Sequence, residues 1–249
     1  MSVSIKSARE IELMREAGRI LAAVHDELGK ALKPGMSTMD IDRLGEKLIR
    51  GYGCIPSFKN YNGYPASICV SVNDEVVHGI PSKNRIIREG DIVSLDAGVI
   101  YHGYHSDAAR THAIGAVTPE AEKLIRVTRE SFFEGIKYAK AGNHLNDISS
   151  AIQAYAESFG YGVVRDLVGH GIGQHLHEDP EVPNFAQKRR GIKLVPGMTL
   201  AIEPMINAGR PDVAWMDDDW TVVTDDGSLS AHYENTILIT DGEPEILSL

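Results

Sequence analysis

Residues 90–96 read GDIVSLD and residues 197–203 read GMTLAIE. Each opens on a glycine, runs through apolar positions suited to a buried strand, and closes on a single acid. The two acids, Asp96 and Glu203, stand 107 positions apart. A second pair of segments keeps that offset: GMSTMDI at 35–41 and GNHLNDI at 142–148 share G-x4-D-I, a turn that runs into a helix start. Between these markers each half carries HGI, at His78 and at His170, and each half ends on a further strand acid, Asp107 and Glu234. Markers that recur in the same order predict an internally duplicated chain. Halves of about 1–116 and 117–249 would then meet around a pseudo-twofold axis, which builds one site from two ends of a chain.

The segments between the markers fit that frame. Ser7 and Glu10 form a capping box before Ile11, Met14, Ile20, Leu21, Val24 and Leu28, which recur at helical spacing until Pro34 and Gly35. Ser37 to Asp40 opens a second helix. ASICVSV, GDIVSLDAGVIY and DAARTHAIG then read as strands. Thr118 with Pro119 starts a third helix running to about Gly142, and a fourth spans about 146–160. GMTLAIEPMI, DWTVVTD and AHYENTILIT return to strand patterning. Helices, strands, helices, strands predicts an α+β fold, an antiparallel sheet flanked by helices.

Composition limits what such a fold can do. A chain of 249 residues can bury roughly 70–75% of its unfolded surface, so a full core is expected. With 43% hydrophobic and 24% charged residues and no long apolar run, it reads as globular and not as a membrane protein. No secretory h-region follows MSVSIKSARE, and Cys54 and Cys69 are too few for a disulfide framework, so a reduced, cytoplasmic setting is expected. A formal charge of −10 opposes general binding to a phosphate backbone.

The strand acids carry the chemistry. Asp96 is the one charge in IVSLDAGVIY and Glu203 the one charge in MTLAIEPMI. A carboxylate facing an apolar core must be paired with a distant arginine or lysine, protonated, or bound to a cation. If the strands around Asp96 and Asp107 form a hairpin turning near 101–103, the two acids fall roughly opposite each other, and like charges there destabilise a sheet. A divalent ion between them reverses the sign. Four acids at repeat-related positions favour the cation: two divalent ions neutralise a charge of −4. An imidazole among the oxygens suits cobalt, manganese, iron or zinc better than magnesium or calcium.

That imidazole is expected from GHGIGQHLHEDP, residues 169–180. Gly169 and Gly171 let the backbone present His170 in a crowded place. His177 follows seven residues on, and His175 stays unassigned. His25, His102, His105, His112, His144 and His232 read as ordinary core or surface histidines. The glycines at 169, 171 and 173 do not match the spacing of a dinucleotide loop.

NGYPASICVSVNDEVVHGIP, SLDAGVIYHGYHSDAART, GHGIGQHLHEDP, LAIEPM and LSAHYENTI together resemble the methionine aminopeptidases of the shorter bacterial type I, which have the pita-bread fold. The match runs over almost the whole chain and implies a single catalytic domain. Residue by residue, it implies that Asp96 chelates one metal ion, that His170 and Glu203 serve a second, and that Asp107 and Glu234 bridge the two. It implies a catalytic set of His78, His177 and Glu203. His177 would stabilise the oxyanion, His78 would bond the amide nitrogen, and Glu203 would shuttle a proton while a metal-bridging hydroxide attacks the first peptide bond. For the methionine pocket it points to Tyr61, Cys69 and Trp220, with Phe58 and Leu176 adjoining. Family members often carry an aromatic in place of Leu176 and a smaller residue in place of Phe58. The expected partner is a peptide or nascent-protein N-terminus, with ribosome association left open and a monomer as the working form. The nearest rival is an Xaa-Pro peptidase of the same fold; a metal-free binding protein on this scaffold would be marked by lost ligands, and all five are here.

Overall fold

The structure, a computed structural model, describes residues 3–249. Its first half holds α1 (Ala8–Ala31), α2 (Thr38–Gly51), β1 (Ile55–Pro56), β2 (Ile68–Val72), β3 (Glu75–Val77), β4 (Ile92–Tyr101) and β5 (Tyr104–Ala113). Its second half holds α3 (Pro119–Ile136), α4 (Leu145–Ser158), β6 (Gly162–Val163), β7 (Gly169–Gly171), β8 (Glu178–Val182), β9 (Thr199–Ile202) and β10 (Met205–Asn207). It ends with β11 (Val213–Trp215), β12 (Val222–Thr224), β13 (Ser230–His232), β14 (Glu234–Leu238) and β15 (Glu245–Ile246).

Capping fixes where the helices begin. The hydroxyl of Ser7 accepts from the Glu10 N–H while the Glu10 carboxylate accepts from the Ser7 N–H, and Ser37 with Asp40 repeats the arrangement. Each such cap contributes about 1 kcal/mol. Thr118 caps α3 with Pro119 at its first position, where a missing N–H costs nothing. That helix stops at Ile136, earlier than the expected end near Gly142, because Tyr138 and Ala139 turn back onto the carbonyls of Gly135 and Ile136.

Antiparallel pairing dominates. The main sheet runs β1-β4-β5-β14-β9-β7-β8, with β2 also on β4 and β15 also on β14. The long β4–β5 hairpin turns tightly at His102 and Gly103, both at positive φ (47° and 85°), the form that suits the twist of two strands. Alternation along β4 sends Val93, Leu95, Ala97 and Val99 into a core with α1 and α2, where Leu21, Val24, Leu28, Ile41 and Ile49 meet them. A second core sets Leu200, Ile202 and Ile237 of the sheet against Phe132, Ile148 and Ile152 of α3 and α4. Helices therefore cover one face of the sheet, and the even-numbered residues of β4, Asp96 among them, point to the other.

Loop geometry repeats between the halves. The Gly35 N–H donates to the Ile87 carbonyl and the Ile87 N–H to Met36; 107 residues on, Gly142 donates to Leu194 and Leu194 to Asn143. The isolated bridges Ser37–Ile86 and His144–Lys193 keep the same offset. No helix among the described residues is long and apolar enough to cross a membrane.

Candidate metal centre

Register alone gathers the acids. Asp96 on β4 pairs across to Ala109 on β5, and Ala109 pairs on its other side with Glu234 on β14. Paired residues share a face of the sheet. Asp107 lies two residues before Ala109, so it shares that face. Asn235 pairs with Ile202, which sets Glu203, one residue beyond β9, beside Glu234. His170 on β7 pairs with Ala201, two residues before Glu203. Five consecutive strands of the sheet, β4-β5-β14-β9-β7, thus bring one of these residues each to one place. The expected facing of Asp96 and Asp107 needs one correction: Asp107 pairs with Gly98, so the two acids are diagonal neighbours and not directly opposed.

Close approach needs the glycines around His170. A side chain at Gly169 would meet the Ala201 carbonyl oxygen at 2.4 Å, and one at Gly171 the Asp179 carbonyl oxygen at 2.2 Å. Between them, His170 Nδ1 donates to the Gly171 carbonyl at 2.8 Å, which leaves Nε2 as a lone pair facing the acids. Nε2 lies 3.6 Å from Glu203 Oε1 and 3.9 Å from Asp107 Oδ2.

Ligand atoms of Asp107, His170 and Glu234 all lie within 4.8 Å of one another, and the three residues are buried. Among the described residues, no lysine or arginine pairs with any of the four acids; Arg110 spends its donors on the carbonyls of Ala109, Glu234 and Ser248 and on Asn235 Oδ1. Asp96 Oδ1 and Glu234 Oε1 are buried with no hydrogen-bond partner. Burial pushes Asp96 up to about 7 and Glu203 up to about 8. Burial first, and neighbouring carboxylates second, raise Asp107 and Glu234 well above the usual range. Burial holds His170 down to about 3, so its ring is neutral. Orphaned carboxylate oxygens, mutual repulsion and one neutral imidazole make a donor set that fits divalent cations.

A cavity of about 160 Å³ opens onto this cluster. Every residue expected from the sequence lines it: Phe58, Tyr61, Cys69, Leu176 and Trp220, the histidines His78 and His177, and the five residues just described. His78 sits at a left-handed φ of 60°, a strained conformation for a non-glycine residue, and turns its ring towards the cavity beside Trp220. Burial pushes His78 down to about 4 and also lowers His177. Tyr61 Oη lies 2.7 Å from His177 Nδ1. Cys69 is buried, with its thiol pushed well up by burial, so it acts as an apolar wall.

Tyr64 and His232 escaped the sequence reading, as did Asn62 on the cavity wall. Tyr64, in the same GYP turn, stacks edge-on to Trp220 and donates its hydroxyl to the Gly79 carbonyl, closing the floor. His232 is 2% exposed and brings Nε2 within 3.6 Å of Glu203 Oε2, so it is no ordinary core histidine. It lies on β13, two residues before the start of β14 at Glu234, and its approach to Glu203 comes from the pairing of β13 with β10. His175 lies outside this cavity and lines a wider groove of about 780 Å³, which shares Tyr61, Leu176 and His177 with it.

Comparison with known proteins agrees with this geometry. Residues 12–241 match the metallopeptidase family M24. The chain is 60% identical to a methionine aminopeptidase of Clostridium acetobutylicum over 99% of both chains, and 51% identical to methionine aminopeptidase 1 of Bacillus subtilis over 98% of both. The crystal structure of a methionine aminopeptidase from Thermotoga maritima superposes with a TM-score of 0.97 at 46% identity, covering 99% of each chain.

Proposed function

This chain belongs to metallopeptidase family M24 and, within it, to the bacterial-type methionine aminopeptidases, and from that premise we propose how its residues release an N-terminal methionine. One observation carries the reading. Asp107, His170 and Glu234, with Asp96 and Glu203 beside them, converge on a buried point where, among the described residues, no lysine or arginine forms an ion pair with them. We read residues 1–249 as one catalytic domain of two pseudo-repeat halves, about 1–116 and 117–249. The loop hydrogen bonds that recur 107 residues apart support this.

Two divalent ions, drawn from cobalt, manganese, iron and zinc, fit the donor set. Asp96 would hold one, His170 and Glu203 the other, and Asp107 and Glu234 would lie between them. Bound there, such ions make a water acidic enough to attack at neutral pH and polarise the scissile carbonyl.

The remaining work falls to side chains. The methionine side chain enters the 160 Å³ cavity, where Phe58, Leu176, Cys69 and Trp220 suit a flexible thioether. Tyr61, with its phenol hydrogen on His177 Nδ1, leaves the ring proton of His177 on Nε2, ready to donate to the developing oxyanion. His78, neutral and aimed into the cavity, bonds the amide nitrogen. Glu203 takes the proton of the attacking water and returns it to the leaving amine. The free α-amino group of the substrate would sit beside Asp96, which limits the reaction to one residue at a time.

The wider groove beside Tyr61 and His177 accommodates the rest of a peptide or nascent-protein N-terminus. We read the protein as a monomer of the cytoplasm, in keeping with two buried free cysteines, and as a candidate to meet its substrate at the ribosome. Release of methionine from Met-Ala-Ser, dependent on added divalent metal, with no cleavage of Ala-Pro peptides, tests the proposal. Preference for the Ala-Pro peptide would transfer the chain's specificity to the Xaa-Pro peptidases.

A further inference from the structure

The two oxygens of Glu203 face two different imidazoles at the same distance. His170 Nε2 stands 3.6 Å from Oε1 and His232 Nε2 stands 3.6 Å from Oε2. The two rings are in different situations. His170 has committed its Nδ1 hydrogen to the Gly171 carbonyl. His232 has neither ring nitrogen hydrogen-bonded, although its side chain is 1% exposed. Its backbone is fixed: its N–H donates to Thr111 Oγ1 at 2.9 Å and its carbonyl accepts from the Thr111 hydroxyl at 2.8 Å. Pairing with Met205, two residues past Glu203, ties the same ring to the same carboxylate.

A buried N–H left idle costs about 1–3 kcal/mol, so folded chains keep such a group where a partner comes within reach. The gap of 3.6 Å is too long for a hydrogen bond. A small turn of the Glu203 side chain closes it. We propose that His232 is a positioning residue for Glu203, donating from Nε2 to Oε2 and so keeping Oε1 turned towards His170, where the cation and the reacting water belong. This rests on the reading of Glu203 as the proton-transfer group. A carboxylate held by one oxygen presents the other in a fixed direction, which is what proton transfer at a stated atom requires. Nothing else in the described residues bonds the Glu203 carboxylate; Asn184 reaches only its backbone carbonyl.

The test uses the metal-loaded enzyme and three variants, His232→Ala, His232→Gln and His232→Asn. The glutamine amide reaches about as far as Nε2 and the asparagine amide does not. With Met-Ala-Ser, His232→Ala and His232→Asn are expected to lower kcat at least about tenfold with little change in KM, and His232→Gln to recover most of the loss. A readout independent of turnover accompanies this: the visible absorption of bound Co(II) shifts, and its affinity falls by about tenfold or more, in His232→Ala and His232→Asn but not in His232→Gln. If His232→Ala does not fold, the glutamine and asparagine pair decides alone. Equal kcat and equal Co(II) spectra for those two would overturn the proposal. Glu203→Ala separates the two readings: if it is inactive while His232→Asn is normal, the positioning role fails alone, and if it retains its rate, the role of Glu203 fails first.

Discussion

Tyr61 Oη and His177 Nδ1 stand 2.7 Å apart, a hydrogen bond that ties the tautomer of His177 to the direction of the phenol hydrogen. A phenol that donates to Nδ1 leaves Nε2 protonated. Without it the neutral ring can take either tautomer, and one of the two presents a lone pair to the oxyanion.

Tyr61→Phe removes the hydroxyl and keeps the ring. The expected result is a fall in kcat of about tenfold, the equivalent of about 1.4 kcal/mol, with folding stability close to that of the parent. Steady-state rates on Met-Ala-Ser, read beside a melting curve, check it. A rate within twofold of the parent would free His177 from any dependence on Tyr61.

Glu203→Ala is expected to lower kcat by about 10²–10⁴, the range general acid–base catalysis supplies. The variant should stay folded, because Glu203 sits one residue past the end of β9, outside the apolar cores. Measured methionine release near the normal rate would remove this carboxylate from the reaction.

The metal-free protein carries a pH signature. Burial holds Asp96 up to about 7 and Glu203 up to about 8, so in the folded state both keep protons that the unfolded chain has already released. Over that range the unfolded state binds fewer protons, and stability falls as pH rises. His170, held down to about 3, and His25, His78, His105, His112, His177 and His232, also lowered by burial, give the opposite slope, which is half spent at the ordinary histidine value near 6.5 and fades above it. Between about pH 6.5 and 8 the histidine contribution dies away, and the carboxylates, with Asp107 and Glu234 also held well up, outweigh it. Scanning calorimetry of the metal-free protein should therefore show a lower melting temperature at pH 8 than at pH 6.5, and manganese should remove most of the difference. A metal-free melting temperature that rises across this interval would mean that the acids are not buried as described.

Leu176 is 2% exposed and lines the cavity proposed to take the methionine side chain. Leu176→Ala is expected to raise KM for Met-Ala-Ser by roughly tenfold with a smaller effect on kcat, as loss of a hydrophobic wall weakens binding by about 1–3 kcal/mol. Comparing methionine with longer and bulkier first residues shows whether the cavity has widened.

The site was legible to the extent that it depends on strand chemistry. A lone acid in an apolar strand is conspicuous, and the offset of 107 between Asp96 and Glu203 linked the halves before any contact was known. What was hidden depends on register. Placing the β4–β5 turn at His102 and Gly103 pairs Asp96 with Ala109 instead of Asp107, a two-residue shift that decides between opposed and diagonal charges. No local feature of the sequence sets that shift. His232 was missed for a related reason: its ring comes near Glu203 only because β13 pairs with β10, a long-range pairing that SAHYEN does not announce.

As proposed above, divalent cations among the buried acids are what make them tolerable. Metal titration with Asp107→Asn as control tests it most directly, reading metal content and Met-Ala-Ser turnover on the same samples. Turnover is expected to rise with bound manganese or cobalt, vanish on exhaustive chelation, and return on adding metal back, while Asp107→Asn binds less metal and stays inactive. Full turnover by the chelated enzyme would contradict it.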